Sequence, residues 1–238
     1  MIKRIFSIFL LLGFVAMFFI IVNNIEETTT LTGVGKEYAE RSGNQELGAQ
    51  NIVTAIIVTY RGLDTLGEVA VLFIAATGIA VLLRRKEEKD PKKKIKKNKK
   101  RESSEILLTG SSLLAPMIII FGIYIFLNGH LTPGGGFQGG AVIASAIMLL
   151  FLADPSYKIN HTVFGWIESL SGFTYVLIGV LGLVMIGADN FLDSRLLPLG
   201  QFGAILSAGA IPVIYTLVGL KVGTELASIL DNMKGELE

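Results

Sequence analysis

The chain reads as an all-α polytopic membrane protein with six transmembrane helices, two followed by four, joined by a polybasic cytoplasmic linker. Three observations predict that class. Hydrophobic residues make up 51% of the 238, and mean hydropathy is +0.61. Those residues gather into long runs instead of recurring at helical or strand period. Most runs are about the length that crosses the ~30 Å hydrocarbon core of a bilayer. The charge is also lopsided: of 21 basic residues, 12 lie between Arg84 and Arg101 with only three acids, leaving 9 basic against 17 acidic elsewhere.

Ile5 to Val22 is the first apolar run, preceded by Lys3 and Arg4. No small-x-small cleavage pattern precedes Asn23-Asn24-Ile25, so the run predicts an uncleaved helix and not a signal peptide. Its basic flank places the N-terminus in the cytoplasm. Asn23 to Gln50 is polar and acidic and forms the longest outer loop. Asn51 to Tyr60 is apolar but too short to span, and predicts an interfacial or re-entrant segment. Asp64 to Leu83 is the second helix; it ends on Arg84-Arg85-Lys86, so it runs from outside to inside.

Residues 87–104 form the linker, with Asp90-Pro91 inside it. Such a density of like charge predicts an extended segment. Because it follows an apolar run directly, it suits anionic lipids at the cytoplasmic surface and not nucleic acid. It separates a first module, 1–86, from a second, 105–238.

In the second module, Ile106 to Leu127 is the third helix, with Pro116 inside it as a candidate kink. The stretch Asn128-Gly-His-Leu-Thr-Pro-Gly-Gly-Gly-Phe-Gln-Gly-Gly140 follows on the outer side. Its glycines allow a sharp turn and a close approach of other backbones. Phe137 to Leu152 is the fourth helix, His161 to Ile186 the fifth and Pro198 to Lys221 the sixth, with a short outer loop from Ala188 to Arg195. Both termini are then cytoplasmic, in a multi-pass protein of the cell membrane. Gly136, Gly140 and Ala144 recur every four residues, and Gly165, Ser169 and Gly172 nearly so. Small residues at that spacing let helices approach closely in lipid. The spacing does not separate contacts within the chain from contacts with other subunits.

Few groups carry chemistry. With no cysteine, disulfides, thiolate metal sites and Cys-ligated iron–sulfur clusters are excluded. His130 and His161 are the only histidines. No catalytic triad, metal-ligand cluster or cofactor motif is visible, and any electron carriers belong to other subunits. The glycine stretch is no phosphate cradle: Gln138-Gly139-Gly140-Ala141 stands where Gly-Lys-Ser/Thr is needed.

Asp64 and Glu68 share one helical face. They suit either the outer mouth of a proton or sodium path, with Glu68 as a transient Na⁺ ligand, or an interfacial pair satisfied by Arg61 and the helix N-terminus. Glu168, on the order of 8–10 Å inside the fifth helix, is either a bridge to Lys221 at the cytoplasmic end of the sixth or a proton relay. His130 can titrate near neutral pH or serve structure through backbone hydrogen bonds. His161 reads as solvated.

Gly129 to Gly140, with Gly209-Ala210-Ile211-Pro212, Gly219-Leu220-Lys221-Val222 and Glu225-Leu226, resembles the B subunit of Mrp (Mnh) multisubunit sodium/proton antiporters. The same family includes small subunits of membrane-bound hydrogenases and their sulfur-reducing relatives. The likeness covers Ile106 to about Leu230. Asn51 to Ile57 and Tyr60 to Glu68 resemble the C-terminal part of the large A subunit, a separate small protein in the hydrogenase complexes. Many relatives carry Asp where this chain has Thr59, so a role for a carboxylate there does not transfer.

The resemblance implies a non-redox subunit of a sodium-translocating module in a larger antiporter or membrane-bound respiratory complex, with other subunits, Na⁺ and H⁺ as partners. In that family the positions matching Glu68, Pro133 and Phe137 are implicated in transport. Asp64, His130, Glu168 and Lys221 complete the candidate set. Two rivals stand beside it: a structural subunit clamping larger pumping subunits, and a self-sufficient transporter. The second lacks the expected inverted repeat.

Overall fold

The structure is a computed structural model and describes residues 2–23, 33–42, 47–89, 103–154, 156–186 and 191–237. The linker core at 90–102, including Asp90-Pro91, lies outside the described residues, as do most of the first outer loop and 187–190. Every regular element among the described residues is helical.

Contacts divide the chain into two units, Met1–Tyr38 and Ala39–Glu238. The first unit holds α1 (Ile2–Asn23), whose side chains from Ile8 to Ile20 are exposed. The ten-residue α2 (Gly33–Ser42) crosses the division.

After α2, the second unit continues with the single turn α3 (Ile52–Ala55), which runs into a π-helical turn, Ile56–Tyr60. The segment predicted as too short to span is thus a short helical piece beneath the next helix. Arg61 breaks the helical path (φ −113°), and α4 (Gly62–Lys89) starts there. Then come α5 (Glu105–Leu127), α6 (Gly136–Ala153), α7 (His161–Ile186) and α8 (Ile211–Leu237). Local caps set several starts. Ser104 accepts from Leu107 N at 3.2 Å, and Asn160 accepts from Thr162 N and Val163 N at 3.1 and 3.2 Å. Each satisfies an amide that has no partner inside its helix.

Among the described residues, five helices are long and apolar enough to cross a membrane, and α1 carries a shorter apolar stretch. The chain is a multi-pass, all-α membrane protein. Helix α8 is the central post: α4, α5, α6 and α7 all pack on it, and α5 also packs on α6.

The sixth helix corrects the sequence reading. Pro198 to Lys221 is not the helix; α8 starts at Ile211 and continues through Leu237. Residues 197–210 form an irregular apolar segment with left-handed backbone at Gly200, Gly203, Ala208 and Gly209. A Cβ on Gly209 would collide with the Ser194 carbonyl, so this position needs glycine twice over. Pro212 then sits in the first turn of α8, where its missing N–H costs nothing. Hydropathy alone cannot see such a break, because the broken segment is itself apolar.

The α6 small-residue stripe packs within this chain. A Cβ on Gly136 would lie 2.7 Å from Val218 Cβ, and one on Gly140 2.8 Å from the Gly219 carbonyl, both on α8. Gly139 and Gly122 press α6 and α5 together in the same way. Gly165, by contrast, meets nothing within 4 Å.

Candidate functional site

The loop between α5 and α6 is built from hydrogen bonds to α3. Asn51 Nδ2 donates to the Gly129 and Thr132 carbonyls, each at 3.0 Å. Thr54 Oγ1 donates to the Gly129 carbonyl at 2.7 Å. The Asn51 amide donates to the His130 carbonyl at 3.0 Å. Residues 51–54 therefore hold a loop almost 80 positions further along the chain. The loop glycines do not use left-handed backbone; they are there for contact. A Cβ on Gly129 would lie 2.6 Å from the Tyr215 ring, and one on Gly134 2.8 Å from the Ile125 carbonyl. The chain does turn at 128–133, and the close approach expected of the glycines packs this loop against α5 and α8.

His130 is fully buried, with Nε2 3.3 Å from the Ala204 carbonyl. Burial holds its pKa below the usual histidine range, against the pull of carbonyls at Ala204, Leu127 and Ile205. Nδ1 has no hydrogen-bond partner. Pro133 is exposed at the loop tip. Phe137 is half-buried against the apolar cluster that contains Tyr215 and Val218.

Glu68 and Asp64 belong to this same end. The α4 start is pinned there by Gly62, where a Cβ would lie 3.0 Å from Leu192 Cβ. Glu68 is exposed on α4 and lies within Coulombic range of Tyr175 on α7 and Tyr215 on α8. Tyr215 is the ring that Gly129 abuts, so Glu68 and the glycine loop share one residue between them. Asp64 is paired with Arg61 at 2.6 Å, both side chains exposed. Asp193, just before α8's irregular approach, is buried. Burial raises its pKa, but hydrogen bonds from Arg195 outweigh this and leave it lowered.

Lys221 is the second correction. It is not at the end of a helix but about ten residues, or ~15 Å, inside α8. It does not bridge to Glu168. Its Nζ donates to Glu225 Oε2 at 2.9 Å, with the two side chains 10% and 1% exposed. The same Nζ sits 5.3 Å over the Phe73 ring of α4. Glu168 is half-buried on α7, within Coulombic range of Glu225. At the opposite end of the bundle, His161 is exposed but not merely solvated: its Nε2 is 3.0 Å from Asp231 Oδ2.

Four residues at these contacts lay outside the sequence-based site: Asn51, Thr54, Tyr215 and Glu225. Lys221 and Glu225 stand four apart inside an apolar run, a spacing that pairs on a helix. That signal was readable once α8 is placed correctly. Tyr215 and Asn51 had no local signal, since their roles are made by distant segments. Among the described residues, no three His, Asp or Glu side chains converge to hold a metal ion.

With this geometry in place, the likenesses fall into two halves. Residues 106–228 match the model of domains related to the MnhB subunit of Na⁺/H⁺ antiporters. Residues 4–102 match the model of the E subunit of MBH. An uncharacterized protein of Methanocaldococcus jannaschii is 33% identical over 189 residues, 72% of each chain. The B subunit of the Na⁺/H⁺ antiporter of Bacillus subtilis is 45% identical over 84 residues, 34% of this chain and 53% of that protein. A chain of the membrane-bound sulfane sulfur reductase, an archaeal respiratory membrane complex, matches with TM-score 0.81 and 44% identity over 98% of both chains. A chain of the Mrp complex from Dietzia sp. shares the fold, with TM-score 0.70 and 21% identity over 95% of this chain and 26% of that one. The matched structures are thus chains of multisubunit membrane complexes. This chain belongs to the family of membrane proteins related to the MnhB subunit of Na⁺/H⁺ antiporters, with its first half like the E subunit of MBH.

Proposed function

We propose that this chain is a membrane subunit of a cation/proton antiporter module within a membrane-bound respiratory complex, where it contributes to sodium translocation. The observation that supports this best is the junction at Tyr215. One side of that ring abuts the glycine loop, and its hydroxyl lies in the field of Glu68. A carboxylate one turn inside a membrane helix is costly when charged and uncompensated. Neutralisation by H⁺ or by transient Na⁺ removes that cost, and alternation between the two is the step that couples them. In this scheme Asp64 and Arg61 flank the entrance, and His130, Pro133 and Phe137 shape the loop beside it. Glu168 and Lys221 serve the path deeper in.

The two modules, 1–86 and 105–238, remain the working division, with 87–104 as the cytoplasmic linker on anionic lipids of the cell membrane. Both termini are then cytoplasmic, and the loop end of the bundle faces out. A hydrogenase, a sulfane reductase or a ferredoxin-linked oxidoreductase would each supply the driving reaction from other subunits. The test is sodium-dependent proton movement in vesicles bearing the assembled complex with Glu68→Gln. Loss of sodium coupling is expected. Full coupling in a fully assembled variant removes Glu68 from the path. The structural-clamp alternative draws on the open Gly165 face of α7, which is free to receive another subunit.

A further inference from the structure

Near the middle of the Ile211–Lys234 span, two charged side chains meet in an otherwise apolar setting, with a third, Glu168, within Coulombic range. Lys221 and Glu225 are buried and paired at 2.9 Å. Glu225 Oε1 is buried without any hydrogen-bond partner. Glu168 faces them from α7. Its helical neighbour one turn on, Gly172, is where a Cβ would come within 3.4 Å of Lys221 Cε, and residues four apart share a face. From α4 the pair meets the Phe73 ring. Of the other helices packed on α8, α6 carries no titratable side chain, α5 carries Glu105 and Tyr124, α4 carries Asp64 and Glu68 before its charged end, and α7 adds His161 and Tyr175.

With both carboxylates ionised, one ammonium faces two negative charges and the trio is net negative. A net charge at this depth is strongly disfavoured. The trio is neutral with one added proton. The buried Oε1 is an acceptor with nothing to accept from, and a proton needs only one such oxygen. A sodium ion would need several oxygen ligands beside an ammonium that repels it.

We propose that Lys221, Glu225 and Glu168 form a mid-membrane proton-binding site that holds one proton shared between the two carboxylates, with Lys221 as a tethered counter-cation. Uptake forms one O–H bond on a carboxylate oxygen; release breaks it. Lys221 remains an ammonium throughout. When Glu225 carries the proton, its charge is cancelled and the flexible Lys221 arm is drawn to Glu168. When Glu168 carries it, Lys221 returns to Glu225. Glu168, half-buried about 10 Å from the start of α7, is the side from which the proton enters. This site deepens the role proposed above for Glu168 and Lys221: it takes up the proton, while Glu68 handles sodium.

The test is infrared spectroscopy of the purified membrane assembly containing the full chain, recorded as wild type minus variant. The signal is the carbonyl stretch of a protonated carboxyl group, identified by its deuterium shift. One such group is expected in wild type. None is expected in Glu225→Gln or in Glu168→Gln, because a single carboxylate then balances Lys221. Two are expected in Lys221→Met. If Glu225→Gln does not assemble, Glu168→Gln and Lys221→Met carry the same count. Absence of the band from wild type, or its retention in Glu168→Gln with no gain in Lys221→Met, overturns the proposal. No sodium flux enters this measurement, so it can fail while Glu68 keeps its role, and the reverse.

Discussion

Gly140→Ala should loosen the contact between α6 and α8. Its Cβ would lie 2.8 Å from the Gly219 carbonyl, 2.8 Å from Val222 Cβ and 2.9 Å from the Gly223 amide. Two of these three atoms are α8 backbone and cannot rotate away. To restore ordinary contact at about 3.4 Å, the helices must part by roughly 0.6 Å. A gap of that size forfeits about a quarter to a half of each dispersion contact along the seam. Overpacking of this kind costs about 1–3 kcal/mol. The intrinsic preference of Ala over Gly in a helix returns about 1 kcal/mol. The backbone contacts place Gly140→Ala toward the upper part of that range, for a net loss of about 1–2 kcal/mol. Gly165→Ala is the control: nothing lies within 4 Å, so only the helix preference acts, with a gain of about 0.5–1 kcal/mol. The two variants should then differ by about 1.5–3 kcal/mol, or about 3–12 °C in thermal midpoint for a chain of this size. Thermal unfolding of the full chain in one detergent, followed by circular dichroism, measures this directly. Gly140→Ala unfolding at or above the temperature of Gly165→Ala would refute the close-packing argument.

Two further outcomes follow from buried polar groups. Lys221→Met leaves the buried Glu225 without its ammonium, so that folding requires its protonation, and should cost up to about 3–5 kcal/mol, whereas Lys221→Met with Glu225→Leu should recover most of that loss; chemical unfolding of the double-mutant cycle reads the difference. Burial holds His130 below its usual pKa of 6.5, so the folded chain stays neutral there while the unfolded chain takes up a proton. Stability from this group is therefore complete above pH 6.5 and declines as pH falls toward the lowered folded value. His130→Gln should flatten that part of the stability profile, and an unchanged slope in the variant would show that His130 is not its source.

The helices α5, α6 and α7 are legible in sequence because each is one long apolar run ending at charges, glycines or a capping residue. The small-residue spacing of Gly136 and Gly140 also showed which face of α6 would be crowded. What crowded it was not legible, since the partner helix α8 lies about 80 residues on. The start of α8 failed for a physical reason. Residues 197–210 are apolar enough to pass for helix, yet left-handed backbone at four positions interrupts them. That misplacement carried Lys221 to a membrane edge and hid its pairing with Glu225. Asn51 and Thr54 show the same limit: their side chains act on loop carbonyls more than 70 positions away.

By itself, then, the sequence determined the solvent in which this chain folds. Hydropathy, run length and the lysine-rich linker depend only on local transfer free energies, and these add along the chain. It also carried the family, because the glycine stretch and its neighbours are a local pattern. Tertiary structure alone decided which charges are buried together. It put Glu68 within Coulombic range of Tyr215, locked the loop to Asn51 and brought Glu168 into the field of the Lys221–Glu225 pair. Those are cross-helix energies that fall off with distance in space, and distance in space is not written in sequence order.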